Sequence, residues 1–277
     1  MVAGPTASGK TAEAIRLATE LGTEIISADS RQCYRELRIG VARPTDAERE
    51  AVPHHFIANH TIHEPITAAG FAKEASQYVH FILEQHDHVI VCGGTGLYIK
   101  ALVEGLDAIP EVPSEIREQV VQLYTEKGID SLRTELQTRD TRSGDYIDLH
   151  NPQRMMRALE VILHTGEPIH AFQQNSTSPL VFNGDPVELE YRILHPEREE
   201  LYQSINERVD RMMQEGLEQE VRDLYPYRQL SPLQTVGYQE LFDYLDGKCT
   251  HEEAVEKIKQ HTRNYAKRQI TWFKRVQ

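Results

Sequence analysis

Cysteine is scarce: only Cys33, Cys92 and Cys249 occur in 277 residues, far apart and odd in number. That excludes a disulfide framework and the paired-cysteine spacing of a zinc site, and points to a reducing compartment. No apolar run approaches the ~20 residues of a membrane span, and no leader pattern opens the chain, so a soluble, cytoplasmic protein is expected. Positive charge is also short, with 30 Lys and Arg against 43 Asp and Glu and a formal net charge of −13. So acidic a chain is a poor general partner for nucleic acid, because phosphate binding draws on Lys and Arg. His54/His55 and His86/His88 lack the set of acid or cysteine companions that a metal site would want, which argues against a dedicated histidine metal site. Internal repeats and low-complexity tracts are absent as well.

What is present begins almost at the first residue. "GPTASGKT", Gly4 to Thr11, spells G-x-x-x-x-G-K-[ST]. Gly4 and Gly9 permit backbone angles that bulkier residues resist. The N–H groups of Ala7 to Thr11 can then converge on phosphate oxygens at the positive end of a helix. Lys10 adds a mobile charge, and the Thr11 hydroxyl is placed to ligate Mg²⁺. Ala14, Ile15, Leu17, Ala18 and Leu21 recur at helical spacing and Gly22 supplies a stop, so a helix follows the loop. A strand should precede it, yet only Met1, Val2 and Ala3 are left to form one, so a few N-terminal residues are expected to be missing.

The first hundred or so residues alternate strand and helix: Thr23 to Asp29 as an apolar strand ending in an acid, 70–86 as an amphipathic helix, 88–96 as a buried strand entering a Gly-rich turn. This rhythm predicts an α/β fold, a parallel sheet flanked by helices, with ligands gathering beyond the carboxyl ends of the strands. The phosphate loop, Asp29 and "GGTGLY" (Gly93 to Tyr98) should face one another there. Asp29 can serve as a Mg²⁺ ligand, a general base or a helix cap. The strand before "GGTGLY" ends in Cys92 and glycines, where many nucleotide hydrolases hold a metal-organising acid, so group transfer fits better than ATP hydrolysis.

After Pro110 and Pro113 strands disappear until about residue 187, and Asn151, Pro152 and Gly166 bracket a clear helix as N-cap, first turn and stop. Residues 113–186 are therefore expected to be an inserted helical domain in a core of 1–112 and 187–277, with "VELEYRILHP" (187–196) returning a strand to the sheet. From Lys257 to Gln277 the chain carries Lys257, Lys259, Arg263, Lys267, Arg268, Lys274 and Arg275 and no acid, with Tyr265, Trp272 and Phe273 interleaved. This is either a local footprint for RNA or DNA or a solvated helix face.

"GPTASGKT", "ISADSRQCYR", "GGTGLY", "NPQRMMRALEV", "RVDRMMQEGLEQEV", "QTVGYQE" and "KRQITWFKR" together resemble, in this order, the tRNA dimethylallyltransferase (tRNA isopentenyltransferase) family, through essentially the whole chain. The resemblance implies a P-loop NTPase-like core in which Gly4, Pro5, Thr6, Ala7, Ser8, Gly9, Lys10 and Thr11 hold dimethylallyl diphosphate rather than a nucleotide substrate. It implies transfer of the five-carbon unit to the exocyclic amine of the adenosine 3′ of the anticodon, with Mg²⁺ on Thr11 and with Asp29, Thr95, Lys10 and Arg208 as catalytic residues. For the tRNA anticodon stem-loop it implies three contact segments: Asp29, Ser30, Arg31 and Gln32; Gln153, Arg154, Met155, Met156 and Arg157 of the helical insertion; and Gln234, Thr235, Val236, Gly237, Tyr238 and Gln239. Met155 and Met156 are by themselves more often core than contact, and Arg154 and Arg157 share a helix face. A monomer is expected. The chain departs from the family pattern at Val41 and Arg43 ("IGVARP" for "IGTAKP"), at Ser204, and in lacking an acid soon after His55. Two rivals are a small-molecule kinase, with ATP in the loop and Asp29 activating a hydroxyl, and a nucleotide-gated RNA-binding module without catalysis.

Overall fold

The computed structural model describes residues 1–173 and 179–275. Parts of the expected insertion (174–178) and of the basic tail (276–277) lie outside the described residues. The chain divides into two compact units, Met1–Gly105 with Pro179–Gln277, and Leu106–Ser178. These boundaries differ from 112/113 and 186/187 by about one loop at each end.

The first unit runs β1 (Val2–Ala3), α1 (Lys10–Leu21), β2 (Ile25–Ser27), α2 (Asp46–Ala51), β3 (His54–His55), α3 (Ala68–Leu83), β4 (Ile90–Gly93) and α4 (Gly96–Val103). In the second unit α5 (Ser114–Arg139), broken at Gly128, packs against α6 (Pro152–Thr165). The first unit then resumes with β5 (Val181–Phe182), β6 (Asp185–Pro186), β7 (Arg192–Ile193), α7 (Arg198–Gln214), α8 (Leu217–Leu224), α9 (Tyr238–Leu245) and α10 (His251–Phe273). The five-stranded sheet has the order β3-β2-β4-β1-β7, parallel throughout.

Two elements differ from the sequence expectation. The returning strand occupies only Arg192–Ile193 of 187–196, pairing with β1 at the sheet edge. Before it, β5 and β6 form a small antiparallel hairpin where no strand was expected; Asn183 and Gly184 both have positive φ there (52° and 93°), the geometry of a tight turn. In α6, by contrast, Asn151 accepts from the Arg154 N–H, Pro152 opens the first turn and Gly166 closes the helix in the left-handed region, all as expected.

The sheet order decides where the chemistry sits. Because β2, β4 and β1 are neighbours, the phosphate loop after β1, Asp29 after β2 and the glycine turn after β4 emerge side by side. Ala28 donates to the Cys92 carbonyl at 2.8 Å, and Thr95 donates to the Ala28 carbonyl at 3.2 Å, stitching the β2 and β4 ends together. A Cβ on Gly93 would lie 2.2 Å from the Ala28 carbonyl oxygen. Backbone cannot retreat from such a contact as a flexible side chain can. Gly93→Ala is therefore expected to lower stability by about 3 kcal/mol, the upper range for overpacking, read as a fall in thermal or urea midpoint against the parent chain.

Candidate active site

The phosphate loop leaves β1 through Gly4 (φ 146°) and reaches α1 through Ala7 (φ 60°) and Gly9 (φ 85°). A Cβ on Gly4 would meet the Leu194 carbonyl at 2.8 Å, so this position needs glycine for space as well as angle. No side chain caps the N-terminus of α1, which leaves its first N–H groups to an anion. The Ser8 hydroxyl is buried without a hydrogen-bond partner among the described residues. Lys10 donates from Nζ to the Pro5 carbonyl at 2.6 Å. Burial depresses the Lys10 ammonium to about 8; nearby Arg208 lowers it further, while Cys92 and Asp29 oppose. Burial likewise lowers Arg208, against the pull of Asp29. An anion bound between these cations would relieve both.

Asp29 sits in a tight turn: its Oδ1 accepts from the Arg31 N–H at 2.9 Å and from the Gln32 N–H at 3.3 Å. The carboxylate is oriented by its own backbone. Beside it, Thr95 Oγ1 accepts from the Ser30 N–H at 3.1 Å and donates to the Ser30 hydroxyl at 3.4 Å. Gln32 faces away from this cluster, accepting from Ser27 at 3.1 Å and donating to the carbonyls of Val41 and Ala42. A cavity opens at this end of the sheet, with Asp29, Arg31, Thr6, Arg208 and Tyr265 among its polar groups and an aliphatic wall of Val41, Val209, Met212, Val236 and Ile258. A neighbouring cleft, sharing Arg208 and Met212 with it, is lined by Thr11, Arg38, Arg43 and Arg211.

The first unit thus gathers Asp29, Arg31, Arg208, Thr235, Val236 and Gly237 around one opening, with Thr95 and Ser30 bonded to each other next to Asp29 and Lys10 close enough to feel the charges of Asp29 and Arg208. Gln234 and Gln239 are exposed and bonded to each other at 2.8 Å. In the second unit Gln153 and Arg154 are exposed and Met156 is half-buried, while Arg157 reaches Glu160 and the Pro110 carbonyl, each at 3.4 Å. Two expected RNA contacts need correction. Met155 is 0% exposed in the core of the second unit and Tyr238 is 0% exposed in that of the first, so neither side chain faces an outside ligand. Of the tail aromatics, Phe273 is core and Trp272 lies where a Cβ on Gly96 would be, leaving Tyr265 facing the cavity. His55 does have an acid partner, Glu24 at 2.5 Å, with His86 4.0 Å from the same carboxylate; still, the described residues contain no metal-holding group of three or more His, Cys, Asp or Glu.

Two positioning residues escaped the sequence. Gln269, on the buried stripe of α10 with Ala254, Ile258, Ala266 and Phe273, accepts from the Thr6 N–H at 2.8 Å and donates to the Gly94 carbonyl at 2.9 Å. A polar residue on an apolar stripe was its signal. Glu220 accepts from the N–H groups of Arg38, Ile39 and Gly40 and, at 2.6 Å, from the Tyr238 hydroxyl. No local pattern marks it.

With this geometry in hand, the chain matches the profile of the IPP transferase family over residues 32–276. It is 44% identical over 273 residues to a tRNA dimethylallyltransferase of Cytophaga hutchinsonii, covering 99% of this chain and 88% of the relative. A tRNA dimethylallyltransferase of Flavobacterium psychrophilum is 43% identical over 282 residues, covering 100% and 90%. Among solved structures, the tRNA isopentenylpyrophosphate transferase of Bacillus halodurans is 36% identical with a TM-score of 0.67, covering 98% of this chain and 85% of that one. A eukaryotic dimethylallyltransferase acting on tRNA reaches a TM-score of 0.74 at 26% identity, covering 98% and 68%.

Lys10 yields a pH prediction. Its folded pKa lies below the ordinary value, so the fold disfavours the charged form below pH about 8 and is relieved of that cost as pH rises toward 10.5. A phosphate anion needs the charged form. Affinity for inorganic diphosphate should therefore hold below pH about 8 and fall by up to about tenfold per pH unit above it, with proton uptake on binding. Calorimetry in buffers of differing ionisation enthalpy measures both; a flat profile from pH 7 to 9.5 would remove Lys10 from the site.

Proposed function

The chain belongs to the IPP transferase family, and on that basis we propose that it transfers the dimethylallyl group of dimethylallyl diphosphate to the exocyclic N6 amine of the adenosine 3′ of the anticodon in tRNA, releasing diphosphate. The observation that carries this reading over a kinase is the aliphatic wall of Val41, Val209, Met212, Val236 and Ile258 beside the phosphate loop. A five-carbon hydrocarbon gains from such a wall, whereas the hydroxyls of a kinase substrate gain nothing from it.

In the proposed step the N6–carbon bond forms as the allylic carbon–oxygen bond breaks, and the electron pair of that bond leaves with diphosphate. Asp29 takes the amine proton; its turn aims the carboxylate, and Oδ1 is held by the Arg31 and Gln32 N–H groups. Lys10, the loop N–H groups and Arg208 take up the negative charge growing on the leaving oxygens. Thr95, tied to Ser30 beside Asp29, stands at the reacting centre. The Thr11 hydroxyl makes no hydrogen bond among the described residues, so it would be available as one oxygen ligand to a hard cation such as Mg²⁺. Mg²⁺ held there supplies charge neutralisation to the diphosphate when bound. Extrusion of the adenosine from the anticodon loop brings its amine to the cavity, with Arg31 and Gln234 to Gly237 in the first unit, and Gln153, Arg154 and Arg157 in the second, as RNA contacts. The enzyme acts as a cytoplasmic monomer; among the described residues no helix is long and apolar enough to cross a membrane.

The test is incubation with Mg²⁺, labelled dimethylallyl diphosphate and unmodified tRNA, followed by nucleoside analysis. Label is expected on the adenine amine, and Asp29→Asn should cut the rate by about 10²-fold or more, the contribution of a positioned base. ATP-dependent phosphorylation of a small hydroxyl compound, with no label on tRNA, would give the chain to the kinase reading. Undiminished transfer by Asp29→Asn would remove the base.

A further inference from the structure

α7 and α10 face each other along a ladder of polar pairs. Asp210 meets Lys259 at 2.8 Å, a charge matched by a charge. One turn along, Asn206 accepts from Arg263 at 2.7 Å, so the cation is bonded but not neutralised. At the next turn stands Tyr202, and around its ring gather Arg198 at 5.3 Å, Arg263 at 5.9 Å and Lys267 at 5.9 Å from the centroid. Among the described residues no carboxylate pairs with any of the three, although Glu199 and Glu200 lie in the first turn of the same helix.

One aromatic face attracts a cation by about 0.5–1 kcal/mol at an exposed site, too little to offset three like charges. The Tyr202 hydroxyl sharpens the point. Its oxygen is buried, close enough to Arg198 and Lys267 to be hydrogen-bonded by them, yet has no well-formed hydrogen bond among the described residues. Burial pushes the phenol up, but Arg198 and Lys267 beside the oxygen outweigh it and hold the group below its ordinary value. Arg and Lys are donors only, so the phenol proton has no acceptor among its neighbours. An anion with acceptor oxygens would satisfy the proton and the three cations together.

The position of the cluster selects the anion. Leu201, Ile205 and Ala266, from the same stretches of α7 and α10, form a small core against which Ala7 of the phosphate loop packs. The seat is therefore next to the phosphate loop yet outside it. An RNA whose extruded base reaches a diphosphate must bring its own flanking phosphates close to that loop. We propose that Tyr202, Arg198, Arg263 and Lys267 form a seat for a backbone phosphate of the RNA substrate, with the Tyr202 hydroxyl donating to a phosphate oxygen. This rests on the assignment of tRNA as substrate.

The test compares Tyr202→Phe, Arg198→Gln and Lys267→Gln with the parent enzyme in tRNA binding over a salt series, in inorganic diphosphate binding, and in thermal unfolding. Each charge removal is expected to weaken tRNA binding and reduce the salt slope by about one. Tyr202→Phe removes a donor but no charge. It should weaken tRNA by about tenfold at unchanged salt slope, with an unfolding midpoint equal to or above the parent's. A structural role predicts the opposite pairing, a lowered midpoint with tRNA affinity intact, and that result overturns the seat. So does loss of diphosphate affinity with tRNA affinity intact, which would make the cluster part of the diphosphate site. Parent enzyme that transfers the label while all three variants bind tRNA as it does overturns the seat alone; parent enzyme that neither binds nor modifies tRNA overturns the assignment beneath it as well.

Discussion

One amide side chain ties the candidate site together. Gln269 accepts from the phosphate loop at Thr6 and donates to the turn at Gly94, joining residues 263 and 175 positions away. The Gly94 carbonyl belongs to the turn that presents Thr95, Thr95 holds Ser30, and Ser30 adjoins Asp29. The proposed phosphate loop and the acid after β2 are thus referenced to a single point on α10. The close approach this needs is visible in the glycines: a Cβ on Gly94 would lie 2.2 Å from the Gln269 amide nitrogen, and one on Gly96 would lie 2.3 Å from Trp272. The glycines of this Gly-rich turn are spaces for a helix.

Glu220 plays the same part on the other side of the cavity. A carboxylate accepting three backbone N–H groups and a phenol fixes the 38–40 loop, whose continuation supplies Val41 to the aliphatic wall. A Cβ on Gly40 would lie 2.7 Å from the Tyr238 ring, so Tyr238 acts by shaping this loop. The same burial withdraws its side chain from RNA. The departure at Val41 puts a hydrocarbon on that wall, and Gln32 uses only the Val41 backbone carbonyl.

What could be seen in the sequence was whatever is written locally. The phosphate loop, the caps of α6 and the amphipathic α3 each rest on residues within a few positions of one another, and each stands as expected. Strands of two residues carry too few side chains for periodicity to register, so β3 and the β5–β6 hairpin leave no mark in the sequence and the final strand is shorter than its apolar run suggests. Their positions come from sheet register, which is a long-range fact. Gln269, Glu220 and the Glu24–His55 pair act on partners distant in sequence, so no local pattern shows what they bond. Met155 and Met156 show the limit from the other side: adjacent and chemically identical, they differ in burial only because a helix turns 100° between them.

The acidic composition and the proposed RNA partner are reconciled by the way α7 and α10 meet. A net charge of −13 repels a polyanion at long range, but screening confines that repulsion to about 8 Å at physiological ionic strength. Within that range, what an RNA phosphate meets is set by the side chains of one helix pair. Along that pair the acid is present at Asp210, replaced by a neutral amide at Asn206, and replaced by a phenol at Tyr202, while the cations of α10 continue. Neutralisation is thus withdrawn step by step toward the turn that packs beside Ala7 of the phosphate loop. A chain can be acidic overall and still present positive charge without a carboxylate partner at a place where its substrate's backbone comes close, because three helical turns are enough to change the local sign.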